Sequence, residues 1–238
     1  MNAFGDWRYV TREDISTFGS PQARQHSVGS QGWIGQTWRS NYSVTARIEI
    51  RPTKQDNDDD ETFPFETATA ASFVHGGITP LYMSTLDSNT HNARVDEINT
   101  IGRSLLTRAD TLAFPRDAGR AEREFWSERG PLWDRSYALL DDERVCLQAQ
   151  EAASMLNVRH IIVGHTPHLE GIESRCDGLV IIIDTGCSRA YGGAISALDI
   201  STEWKRTHQG EWQEIETVTA LYTDGRESEG IARNVRVL

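Results

Sequence analysis

Two unbroken aliphatic runs, RHIIVGH at residues 159–165 and GLVIIIDTG at residues 178–186, constrain this chain more than any other feature. Each is a few residues of Ile and Val ending at glycine, the pattern of a buried strand that stops where the backbone must turn. Strands of this kind demand a sheet covered by other elements. Their ends open onto crevices where loops fixed by a rigid scaffold present side chains. The first run delivers His165 to such an end. On these residues alone, His165 is either a ligand or a hydrogen-bonded turn residue.

The stretch ASFVHGGITP, residues 71–80, repeats the grammar, with Phe73 and Val74 followed by His75 and two glycines. Paired glycines let a chain turn at positive φ and let another group approach the backbone closely. Two strands that each end in a histidine beside glycine can converge on one point. Neutral imidazole suits Zn, Fe, Mn or Ni, and it offers a free nitrogen when the other is held by a neighbour.

The remaining text supplies the covering elements. TRED, residues 11–14, looks like a helix start capped by Thr11, with Asp14 at the capping-box position. SQGWIGQTWRS places Trp33 and Trp38 five apart on an expected short helix, and SVTARIEI, residues 43–50, alternates as a strand. Residues 53–66, flanked by Pro52 and holding Pro64 with an acidic run, are expected to form a mobile, solvated surface loop. Calcium binding is not expected there, because the carboxylates lack a framing glycine turn. Val95, Ile98, Ile101, Leu105 and Leu106 recur at helical spacing. A second helical stretch is broken at Gly130-Pro131, and a third turns Val145, Ala149, Ala152, Ala153 and Leu156 inward. The tail from GGAISALDI through EIETVTALYTD is strand-rich.

Composition narrows the partners. With 238 residues the chain can bury a sizeable core, and its 24 Lys and Arg against 35 Asp and Glu leave a net charge of −11. Such a chain, without a basic run, has no electrostatic footprint for nucleic acid or an anionic membrane, although a local positive pocket can still hold phosphate. Neither a long apolar span nor a signal-peptide pattern occurs, so a soluble, cytoplasmic protein is expected. The three cysteines, Cys146, Cys176 and Cys187, are odd in number and widely spaced, so neither a disulfide framework nor a paired-cysteine metal site is expected.

Four stretches together, FVHGGITP, GPLWDRSY, VGHTPH and IDTGCSRAYGGAISALDI, resemble the C-terminal half of calcineurin-like metallophosphoesterases, and most closely the Shewanella-like phosphoprotein phosphatases. MNAFGDWRYVT resembles the text that follows the Gly-Asn-His-Glu motif in that class. The resemblance implies an α/β (α+β) fold, a partial four-layer sandwich of two mixed sheets flanked by helices, occupying residues 1–238 as one partial domain. It also implies divalent ions, Mn, Fe or Zn, two of them in a complete site at the strand ends. His75 matches the histidine of the family's His-Gly-Gly motif and His165 that of its Gly-His-Thr motif, so both would be ligands of one metal. Arg135 matches the arginine of Gly-Pro-Leu-Trp-x-Arg and would hold phosphate; a partly buried ion pair is the alternative. His168 departs from the family's Gly-His-x-His spacing and is expected beside the ligands or at the rim. Asp184 either orients a ligand or caps the turn before Gly186.

The family's first three motifs, Gly-Asp-x-His-Gly, Gly-Asp-x-x-Asp-Arg-Gly and Gly-Asn-His-Glu, do not occur in this sequence. With them go both metal-holding aspartates, the asparagine and the catalytic histidine, so no catalytic residue is assigned. The resemblance therefore implies a hydrolase, a Ser/Thr-type protein phosphatase acting on phosphorylated proteins or small phosphoesters, whose site needs a missing N-terminal half. The alternative is an inactive remnant that binds a partner or a phosphorylated ligand without hydrolysing it.

Overall fold

The computed structural model describes residues 12–51, 68–108, 114–188 and 191–237. The Thr11 cap, the GDWRYV text and the acidic loop at 53–66 lie outside the described residues. In chain order the elements are α1 (Arg12–Thr17), α2 (Pro21–Val28), α3 (Trp33–Asn41), β1 (Thr45–Ile50), β2 (Thr69–Val74), α4 (Pro80–Met83), α5 (His91–Arg108), α6 (Arg120–Trp126), α7 (Ser136–Leu139) and α8 (Asp142–Leu156). They continue with β3 (His160–Val163), β4 (Glu173–Arg175), β5 (Val180–Ile182), β6 (Ser196–Arg206), β7 (Trp212–Tyr222) and β8 (Glu229–Val237). No helix among the described residues is long and apolar enough to cross a membrane.

The first sheet has the order β1-β2-β3-β5-β4, and the second is β6-β7-β8. Within the first, β2, β3 and β5 run parallel, while β1 and β4 pair antiparallel at the two edges. The second is antiparallel throughout. Strand alternation sends Ile161, Val163, Val180 and Ile182 into a core with α5, α6 and α8. It sends Ile162 and Ile181 the other way, against Val218 and Ala220 of β7. This two-sided burial is why the runs are aliphatic at every position: burying each such side chain fully contributes about 1.5–3 kcal/mol. The layers are thus helices, five-stranded sheet and three-stranded sheet, an α/β fold of two sheets flanked by helices.

Helix α8 buries all five residues expected to face inward. Asp141 caps its start by accepting from Arg144 N, and Asn157 closes its end at φ 50°, where Arg47 of β1 donates to the carbonyls of Leu156 and Asn157. Asn99 of α5 fixes the chain entering β1, accepting from Val44 and Thr45 and donating back to Thr45 O.

One expectation is corrected. Between the aliphatic strands lies β4, which folds back antiparallel onto β5. That return brings Cys176 to within 5.4 Å, Cα to Cα, of Cys146 on α8, and the two form a disulfide despite lying 30 residues apart. Cysteine spacing cannot reveal such a contact, which is made by the tertiary fold. Cys187 is free and exposed.

The second sheet is fastened to the first by buried charge. Glu214 and Glu216 share one face of β7, and both are wholly buried, as is His160 of β3. His160 Nε2 lies 2.7 Å from Glu216 Oε1, and its Nδ1 lies 2.6 Å from Gly178 O. Both ring nitrogens are thus held by oxygen atoms, one from the Gly178 carbonyl and one from the Glu216 carboxylate. Glu216 also takes Arg159 Nη1 at 3.1 Å, Asn234 Nδ2 at 3.0 Å and Thr69 Oγ1 at 3.2 Å. Arg236 Nη2 meets Glu214 at 2.7 Å.

Burial alone would raise the Glu216 carboxyl, but the His160 bond and the charges of His160 and Arg159 outweigh it and hold the group at about 2, against an ordinary 4.5. Its stabilisation is therefore complete above about pH 4.5 and is lost as pH falls toward 2. Thermal unfolding followed by circular dichroism is expected to show an acid limb in this window that Glu216→Gln flattens. An acid limb of unchanged slope in the variant would contradict this assignment.

Candidate metal and phosphate site

Strands β2 and β3 are parallel neighbours with Val74 opposite Val163, so the residues that follow them leave the sheet side by side. Gly164 N donates to His75 O at 2.9 Å, extending the ladder one step past the strands. The rings of His75 and His165 then face one another with centroids 4.8 Å apart. His165 sits at φ 65°, a left-handed conformation that a residue with a Cβ rarely adopts. Such conformations cost about 1–3 kcal/mol and persist where surrounding bonds impose them. Here Arg135 Nη1 donates to His165 O at 2.9 Å and to Thr166 Oγ1 at 3.0 Å.

The glycine pair has a different task. Gly76 N donates to Pro131 O at 2.8 Å, and a Cβ at Gly76 would come within 2.9 Å of the Asp134 carbonyl. Only glycines let the GPLWDR segment lie this close to the strand end. That contact brings Trp133 edge-on to His165 at 5.5 Å, with Trp126 edge-on behind it at 5.6 Å. Asp134 is buried, accepts from Ser136 N and Oγ at 2.9 and 2.6 Å, and has its carboxyl pushed up by burial.

Burial, aided by the charge of Arg135, favours the neutral form of both imidazoles. His165 is held down at about 4, first by burial and then by Arg135 and His75, with Asp184 opposing. Burial likewise lowers His75, opposed by Asp184, and Arg135 lowers it further. Neutral rings with free lone pairs are the form that ligates metals.

Of the residues singled out in the sequence, His75, His165 and Arg135 come together. Arg135 makes no ion pair with a carboxylate among the described residues, so its alternative role as a structural ion pair has no partner there. His168 stands at the rim: its Nδ1 lies 3.1 Å from Gly171 O, and its Nε2 lies 3.5 Å from a Glu173 carboxylate oxygen. Asp184 caps the turn, accepting from Gly186 N at 3.0 Å, while its charge reaches both rings. Sequence reasoning missed Trp126 and Trp133, whose signal was an aromatic residue two positions before Arg135 and another seven before that.

Among the described residues no group of three His, Cys, Asp or Glu side chains could hold a metal ion. Two imidazoles fit part of one ion's shell. They do not by themselves fit a two-metal centre, which needs a carboxylate shared between the ions.

No protein-family model matches the chain. It is 31% identical over 203 residues to an uncharacterized protein of Schizosaccharomyces pombe, covering 84% of this chain and 52% of that protein. Among solved structures it is similar to a cold-active protein tyrosine phosphatase, with a TM-score of 0.57 and 22% identity over 96% of this chain and 53% of the other. A point mutant of a cold-active protein tyrosine phosphatase gives the same TM-score at 21% identity, covering 96% and 55%. The chain shares the fold of these phosphatases. It spans about half the length of the proteins it matches.

Proposed function

We propose that this chain supplies the His75, His165 and Arg135 portion of a metal-dependent phosphoesterase site of the calcineurin-like type, with the remaining ligands drawn from polypeptide outside this sequence. The observation that carries the reading is the convergence of two neutral imidazoles at adjacent parallel strand ends, with a guanidinium bonded to the same turn. A divalent ion, Mn, Fe or Zn, would supply charge neutralisation and an activated water when bound. His75 and His165 contribute lone pairs without adding negative charge, so the site keeps its attraction for a phosphate dianion. Arg135 has Nη1 engaged, while its Nε and Nη2 make no hydrogen bond among the described residues, leaving part of its fork for phosphate oxygens. It borders an open hollow of about 520 Å³ with Trp126, Glu128, Trp133 and His165. Phosphorylated protein is the proposed substrate; both solved neighbours are named protein tyrosine phosphatases, which favours phosphotyrosine over the Ser/Thr class expected from sequence.

The lack of a third ligating group among the described residues favours a second reading for the chain by itself, binding a phosphorylated ligand without turnover. One experiment separates the two. The purified chain is assayed on p-nitrophenyl phosphate with Mn, with and without a polypeptide carrying the Gly-Asp-x-His-Gly, Gly-Asp-x-x-Asp-Arg-Gly and Gly-Asn-His-Glu motifs. Little activity alone, gained on mixing and lost in His165→Ala, is the expected result. No gain on mixing supports binding without turnover, and robust activity of the chain alone overturns the partial-site reading. In the reconstituted pair, Arg135→Ala is expected to lower kcat/KM by about 10–100-fold, the worth of one charge-assisted contact. Unchanged kcat/KM would remove Arg135 from the phosphate site.

A further inference from the structure

A second cavity, of about 370 Å³, shares His75 and Trp133 with the site but is not lined by Arg135 or His165. Its walls come from three separated segments: Trp38, Arg39 and Tyr42 at the end of α3, Arg103 on α5, and Leu132 and Trp133. Aromatic and aliphatic surface dominates it, and its two charged side chains, Arg39 and Arg103, are both cationic. Arg39 Nη1 and Trp133 Nε1 are buried donors without a hydrogen-bond partner among the described residues. Neither Arg39 nor Arg103 has a carboxylate partner among the described residues, in a chain whose net charge is −11. Acidic side chains are abundant, and among the described residues none pairs with these two guanidiniums. The guanidinium side chains of Arg39 and Arg103 in its wall make the cavity complementary to an acidic occupant. Indole and phenol walls favour stacking with a planar ring.

We infer that this cavity binds a peptide segment that carries an aromatic side chain next to an acidic one. The aromatic ring packs between Trp38, Tyr42 and Trp133, and the carboxylate meets Arg39 and Arg103. Because the cavity and the phosphate hollow share Trp133, a phosphorylated protein held at Arg135 can reach both, which makes the cavity a determinant of which sequence is accepted. The choice of a peptide rests on the phosphoprotein reading; the preference for an aromatic acid rests on the cavity alone.

The test uses the whole chain without added metal and with peptides that carry no phosphate, so it stands or falls independently of the metal reading. Acetyl-Glu-Tyr-Glu-amide is titrated at low salt against tryptophan fluorescence, with the Glu-Ala-Glu and Lys-Tyr-Lys versions and benzoate as comparisons. Saturable one-to-one binding of the first peptide is expected, at least tenfold tighter than any of the comparisons. Arg103→Gln, on an exposed side chain, and Arg39→Gln are each expected to weaken it about tenfold with the unfolding midpoint unchanged, while Arg135→Ala leaves it unaltered. No binding, equal binding of the peptides, affinity for benzoate equal to that for the peptide, insensitivity to Arg103→Gln, or self-association of the chain that closes the cavity would each overturn the inference.

Discussion

Glu216→Ala is expected to destabilise the fold by about 3–5 kcal/mol, the usual cost of removing one partner from a buried ion pair. The carboxylate has no exposed surface and gathers His160 of β3, Arg159 just before it, Asn234 of β8 and Thr69 of β2. Deleting it leaves His160 Nε2 buried with no acceptor and Arg159 with only the longer 3.6 Å contact to Glu214, at the seam where the three-stranded sheet meets the five-stranded one. The loss is one of pairing rather than of volume, so a double variant, Glu216→Ala with His160→Ala, is expected to cost less than the sum of the single variants. Chemical denaturation of the four proteins measures this. Additive costs would show that the pair is not coupled and that the sheets are held by their apolar contacts alone.

The second large effect concerns the metal reading. His165→Ala is expected to lower affinity for a divalent ion by at least about 100-fold, since even groups that merely support a ligand cost 10–100-fold when removed. His75→Ala should behave alike, because the two rings are neighbours with centroids 4.8 Å apart. The comparison is made by calorimetric titration of Zn into each protein. His168→Ala provides the contrast: its ring is turned to Gly171 and Glu173 at the rim, so ion affinity is expected to stay within a factor of a few.

Much of the fold was legible where local and tertiary demands agree. In α8 the inward residues follow the helical period, and every one is buried. The Ile and Val runs were legible as strands because both faces of the sheet are covered. Legibility failed where distant partners reverse a local pattern. Glu214 and Glu216 point inward from β7, which alternation of polarity would place in solvent, because Arg159, His160 and Arg236 wait for them. β4 is three polar residues, Glu-Ser-Arg, without a hydrophobic period to announce it, and it exists because β5 offers an open edge. The Cys146–Cys176 bond depends on that same unannounced strand.

The site divides in the same way. His75 and His165 could be singled out because each follows a strand and stands beside glycine, a local signal. The cavity at Trp38, Arg103 and Trp133 could not, since its walls come from segments far apart in the chain and share no motif. His165's positive φ was equally hidden, its carbonyl being bonded by an arginine 30 residues away.

The central claim is that His75 and His165 act together as ligands of one ion. Its most direct measurement is an NMR titration of the imidazole signals with Zn at neutral pH. The account predicts that the two rings shift together with one saturation point at a single equivalent, and that either alanine variant abolishes the shift of the remaining ring at that concentration. Independent titration of the two rings, or an unchanged response of one when the other is removed, would contradict it.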